Sequence, residues 1–245
     1  MAIPQTVLLL DGELREIFGP RLRSLIVYGV SSNQHPKGDG HSHGHAEPAA
    51  RTMAVVERMT REDLRACALR VEGWHARGLA TPLLVAAHEF ERSLDAFPLE
   101  FGAILADHTI VSGENPFATS RLDPSDVRRA CEMQARSHLL HLRESYLETR
   151  GRADALSDLI AQSAPAFAAL LASVARLEGH ASGDTNAVAR HAERVLDITG
   201  GAIADIVALT AGHELPSADA ERLFAPYLQA VEKLVAYVDG WIDAR

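Results

Sequence analysis

The run Leu22-Arg23-Ser24-Leu25-Ile26-Val27-Tyr28, broken at Gly29, limits what this chain can become more than any other stretch. It is too short for a convincing amphipathic helix and too continuously apolar for a half-exposed strand, so it reads as a strand buried on both faces. Gly29 ends it at a turn, where the absence of a Cβ lets the backbone bend tightly and lets a ligand approach closely. Just before the run, Leu14 to Phe18 read as the end of a helix stopped by Gly19-Pro20.

Beyond this point the chain changes character twice. Residues 33–50 carry no apolar periodicity and hold Pro36, Gly38, Gly40, Gly44 and Pro48, which predicts a flexible, His-rich loop. Order resumes with a strand at Thr52 to Val56. A helix capped by Thr60 and Asp63 then runs to about Arg77, with Leu64, Ala68, Val71 and Trp74 on one face. Gly78 to Pro82 form a turn, Leu83 to Ala86 a third strand, and Glu89 to Leu94 a short helix. Pro98-Leu99-Glu100-Phe101 begins another strand, beside which Asp107 to Val111 return.

From Leu122 onward the pattern is helical only. Asp123 caps a helix that opens on Pro124 and reaches Gly151, followed by helices over Ala153–Leu177, from Asp184 or Thr185 to Ile198, and over Ser217–Trp241, with an apolar piece at Ile203 to Leu209. The expected fold is α+β: a small mixed sheet with helices over residues 1–121, then an antiparallel helical bundle over residues 122–245.

Composition narrows the partners. At 47% hydrophobic and 23% charged, 245 residues suffice for one large or two modest globular domains, and a net charge of −9 argues against a broad nucleic-acid surface. No stretch reads as a membrane span and Met1 to Gln5 lack the basic start of a secretory signal, so a cytoplasmic chain without a membrane partner is expected. Cys67 and Cys131 fall inside separate helical patterns and read as buried thiols. No nucleophile elbow, Walker loop or dinucleotide fingerprint occurs.

Leu14 to Ser31 resembles the opening of bacterial nucleotidyltransferases of the polymerase-beta-like superfamily, in which a helix and a strand run into a Tyr-Gly-Ser turn. Phe97 to Phe101 and Gly113 to Phe117 look like further patches of that family, and the helical half is similar in order to kanamycin-nucleotidyltransferase-like enzymes. The resemblance implies that Gly29, Val30 and Ser31 occupy the nucleotide-binding turn, with Val30 standing where the family has serine. It aligns Ala50 and Thr52 with the Asp-x-Asp pair that binds Mg²⁺, and Glu100 with the third carboxylate, which alone remains as a catalytic candidate. The resemblance then implies a catalytically impaired protein, a pseudoenzyme, with a pocket between sheet and bundle for a nucleotide or small molecule. The alternative is an active Mg²⁺-dependent enzyme transferring NMP to a small molecule or protein, with loop carboxylates such as Asp39 or Glu47 compensating.

Histidines suggest a different chemistry. In extended chain His41, His43 and His45 project to one side about 6–7 Å apart and can share Zn²⁺ or Ni²⁺, with His35, Asp39 and Glu47 nearby in sequence. A metal-binding or interaction protein and a solvated loop with adventitious metal affinity are both consistent with this segment. His138, His141, His180, His191 and His213 are isolated, and Arg121, Arg128, Arg129, Arg136 and Arg143 read as a solvated helix face paired with Glu132 or Glu144.

Overall fold

A computed structural model describes residues 3–29 and 50–241. Val30, Ser31, His35, Asp39, His41, His43, His45 and Glu47, and with them the His-rich loop as far as residue 49, lie outside the described residues. The described residues form two compact units that divide between Leu122 and Asp123.

The first unit contains α1 (Gln5–Phe18), β1 (Leu22–Tyr28), β2 (Arg51–Val56), α2 (Arg61–Ala68), α3 (Val71–Ala76), β3 (Leu83–Ala86), α4 (Ala87–Ala96), α5 (Pro98–Ala106) and β4 (His108–Gly113). Its sheet has the order β3-β2-β1-β4, with β1 antiparallel to both β2 and β4 and β2 parallel to β3. Strand β1 is thus central, and Leu25 and Ile26, which point to opposite faces, are both fully buried, as its unbroken apolar run requires. On one face Leu25 and Val27 meet Val7, Leu10, Leu14 and Phe18 of α1 together with Trp74. On the other, Ile26, Met53 and Val55 meet Phe90, Leu94, Phe101 and Ile104 of α4 and α5. A bulge between Leu25 and Ile26 shifts the pairing with β4, and Gly113 closes it at φ +77°, where a Cβ would stand 1.9 Å from the Arg23 carbonyl oxygen.

Two expected elements differ. The single helix from Thr60 to Arg77 breaks at Leu69-Arg70 into α2 and α3, and its inward positions are Asp63, Cys67 and Trp74, while Leu64 is exposed. The cause is a carboxylate at a core position. Asp63 accepts from Arg21 Nη1 at 2.6 Å and Nη2 at 2.8 Å and also completes the capping box with Thr60, which satisfies the charge and turns Leu64 outward. The strand expected at Pro98-Leu99-Glu100-Phe101 is instead the first turn of α5. Proline lacks the N–H a strand would use and suits the first helical position, and Phe101 and Ile104 at helical spacing bury one face.

The second unit holds α6 (Pro124–Glu148), α7 (Ala153–Leu177), α8 (Thr185–Val195), α9 (Ala202–Ala208) and α10 (Ser217–Asp239). Three long helices, α6, α7 and α10, pack pairwise, with the shorter α8 and α9 against α7; the sequence pattern predicts four long ones. Asp123 caps α6 by accepting from Ser125 N, and Asp184 caps α8 by accepting from Asn186 N. Contrary to the sequence expectation, α7 is long and apolar enough to cross a membrane; 56% of its most apolar window is buried among the other helices. Both cysteines are free and buried, and burial pushes the Cys131 thiol up to about 12.

Candidate functional site

At the C-terminal end of β1 the strands bring a row of polar side chains together. Tyr28 lies directly opposite Arg51 of β2 and His108 of β4. Opposed residues of antiparallel strands share a face with Cβ atoms about 5 Å apart, so His108, Tyr28 and Arg51 form a line across three strands on the α4/α5 side. Gly29 follows at φ +69°, its N–H donating to the Asp107 carbonyl at 3.1 Å. His108 packs against Phe117 with ring centroids 5.1 Å apart and the rings tilted by 52°, and its Nδ1 lies 3.1 Å from the Leu105 carbonyl. Since a carbonyl only accepts, Nδ1 is the donor there.

Glu100 reaches the same end from α5 rather than from a strand, and it is exposed. Burial pushes the Tyr28 phenol up; the Arg51 guanidinium opposes that rise and the Glu100 carboxylate adds to it. All three groups therefore act on one small region, though Arg51 and Glu100 form no ion pair. Among the described residues no partner holds the Arg51 guanidinium.

Ala50 and Thr52 are placed differently from what a metal-binding pair needs. Alternation along β2 turns both away from Arg51, toward the α1 face. Ala50 packs with the α1 core, and Thr52, opposite Val27, is 1% exposed with no hydrogen-bond partner for its Oγ1. The positions of β2 on the Tyr28 side are Arg51, Met53 and Val55. Among the described residues, no three His, Cys, Asp or Glu side chains gather closely enough to hold a metal ion. The donor set at this end, a guanidinium, a phenol, an imidazole and the Glu100 carboxylate, does not fit Mg²⁺, which takes oxygen ligands in octahedral geometry. Sequence reasoning finds Gly29 and Glu100 but misses Tyr28, Arg51 and His108; the available signal is a charged residue opening an otherwise apolar strand.

The helical unit carries its own polar groups. His138 stacks on Phe167, and its Nε2 lies 2.8 Å from the Tyr227 hydroxyl, which donates to Ser163 Oγ at 3.0 Å. Ser163 in turn donates to the Ile160 carbonyl, so the chain runs one way and His138 Nε2 carries the proton. Burial, with His141 adding to it, lowers His138 to about 4. Separately, Glu178 accepts from the Tyr237 hydroxyl and lies 2.5 Å from His191 Nε2, beside a cavity of about 10 Å³, room for about one water. The arginines of α6 are largely paired: Arg128 with Glu132, Arg129 with Asp126, Arg136 with Glu132 and Asp239, and Arg143 with Glu232.

No family model matches the chain, and no curated protein matches it. Among solved structures it is similar to spectinomycin adenyltransferase AAD(9) from Enterococcus faecialis, determined with ATP and spectinomycin. The TM-score is 0.54 over 96% of this chain and 98% of that one, at 8% sequence identity. So distant an identity bears on the fold alone, and with the small mixed sheet and helical C-terminal region it shows that this chain has a nucleotidyltransferase-like fold.

Proposed function

We propose that this chain is a cytoplasmic nucleotidyltransferase-like protein that binds a nucleotide or another small ligand and is catalytically impaired. The observation behind this reading is the donor set at the end of β1 and β2. Nucleotidyl transfer relies on carboxylates that fix divalent ions, which activate the attacking oxygen and neutralise the phosphates. Here the β2 positions on the Tyr28 face are Arg51, Met53 and Val55, none of them a carboxylate, and Glu100 is the carboxylate felt at Tyr28.

A second reading, an active Mg²⁺-dependent enzyme transferring NMP to a small molecule or protein, has one observation in its favour: the similar structure is an adenyltransferase determined with ATP and a small molecule. Transfer of labelled nucleotide to candidate small-molecule and protein acceptors separates the two. The impaired protein should turn over at least ~10³-fold more slowly than a typical transferase, because most electrostatic stabilisation of the transition state is missing. Efficient labelling that disappears in Glu100→Gln would establish the active enzyme instead.

A further inference from the structure

We propose that Arg51 is the resident cation of a metal-independent phosphate site, formed with the Tyr28 hydroxyl at the C-terminal end of β1. This rests on the nucleotide-binding reading above and names the charge that would do the binding. A guanidinium presents a planar fork of N–H donors that matches two oxygens of a phosphate, and it keeps its charge at any physiological pH. Arg51 is half-buried on a rigid strand, fixed by pairing with β1 on one side and by the Ala50–Leu79 bridge just before it. No described residue neutralises it. The Tyr28 hydroxyl beside it likewise has no hydrogen-bond partner among the described residues, so two donors are available together on one face.

The same charge explains why a divalent cation is a poor occupant. A positive group held on the strand repels Mg²⁺ at short range and favours an anion in its place. Gly29 immediately after Tyr28 has no side chain to obstruct a ligand approaching along the strand end, and among the described residues nothing lies within 4 Å of where a Cβ would stand. Glu100 works against an anion here, since its carboxylate already raises Tyr28. That opposition gives the proposal a sign that a merely structural Arg51 would not produce.

The test is calorimetric titration of the full chain with ATP and, separately, with inorganic triphosphate, each in EDTA and in Mg²⁺. Both ligands should bind in EDTA, with Mg²⁺ changing affinity by no more than about twofold. Arg51→Ala should weaken binding by about tenfold or more and Arg51→Lys by less, because lysine keeps the charge but not the fork. Glu100→Gln should tighten binding. Melting curves of Arg51→Ala and Arg51→Gln check that the strand is intact, and either variant with a wild-type melt suffices. Binding that Mg²⁺ tightens about tenfold and that both arginine variants leave unchanged would overturn the proposal while leaving nucleotide binding standing. Binding of ATP but not triphosphate would place recognition on the nucleoside and also overturn it. Absence of any binding by the wild-type chain would overturn both readings.

Discussion

Thr52 is the residue at which the chain departs most clearly from a metal-binding strand. Its side chain points into the α1 core beside Val27, and its hydroxyl is buried without a partner. A buried hydroxyl that has lost its water and gained no hydrogen bond costs free energy, whereas an isosteric methyl fills the same space without that cost. Thr52→Val should therefore raise stability by about 1 kcal/mol, read from chemical denaturation. Thr52→Asp should lower it by about 3 kcal/mol or more, since the carboxylate would enter an apolar core with no cation to meet it. The second outcome decides the register. If Thr52→Asp were well tolerated and created Mg²⁺ affinity, the strand would have to turn its other face to the site.

At the scale of elements, the informative feature is the joint between β1's preceding turn and α2. Arg21 grips Asp63 through both guanidinium nitrogens while Asp63 holds the first turn of α2 through the Thr60 N–H. Asp63→Ala removes a part-buried ion pair and a capping box at once, and a loss of about 3 kcal/mol is expected. Arg21→Ala should cost nearly as much, and the double variant little more than either, because both delete the same contact. A double-mutant cycle in urea measures this, and additive losses would mean that the clamp is not a unit. This joint also shows what the sequence can disclose. β1 is legible because burial on both faces leaves an unbroken apolar run, and α7 because Ala153 to Leu177 has a long helical period ending at Glu178-Gly179. Asp63 is legible as a cap but not as a core residue, since its partner lies 42 residues away. α5 is easily misread because the short stretch Pro98-Leu99-Glu100-Phe101, with one carboxylate among apolar neighbours, fits either period, and only Pro98 at its head tips the balance. The row His108-Tyr28-Arg51 depends on the register of two antiparallel pairs, which no local pattern encodes.

Across the whole molecule the two units should respond to acid in different ranges. In the helical unit His138 is held neutral, with its pKa lowered from 6.5 to about 4 mainly by burial. A basic group with a depressed folded pKa takes up its proton first in the unfolded chain. Its stabilisation is present above about pH 6.5 and is lost as pH falls toward 4, on the order of 3 kcal/mol over that interval. In the sheet unit the sensitive groups are carboxylates. Arg21 lowers Asp63 and Arg77 lowers Glu13, so their contribution is present above the ordinary carboxylate range and is lost only as pH drops below it. Trp74 reports directly on the Arg77–Glu13 pair, since its indole N–H donates to Glu13 at 2.5 Å and the ring is 1% exposed. Trp241 lies in the helical unit just past α10, so Trp241→Phe leaves Trp74 as the single indole. With that variant, melting followed by far-UV circular dichroism, dominated by helix, should shift down between about pH 6.5 and 4.5, while the Trp74 emission transition holds nearly constant until pH falls below about 4. His138→Phe, which keeps the stack on Phe167 but cannot be protonated, should flatten the first shift and leave the second. Loss of both signals together at one pH, unchanged in His138→Phe, would mean that the imidazole does not set the acid limit of the helical unit.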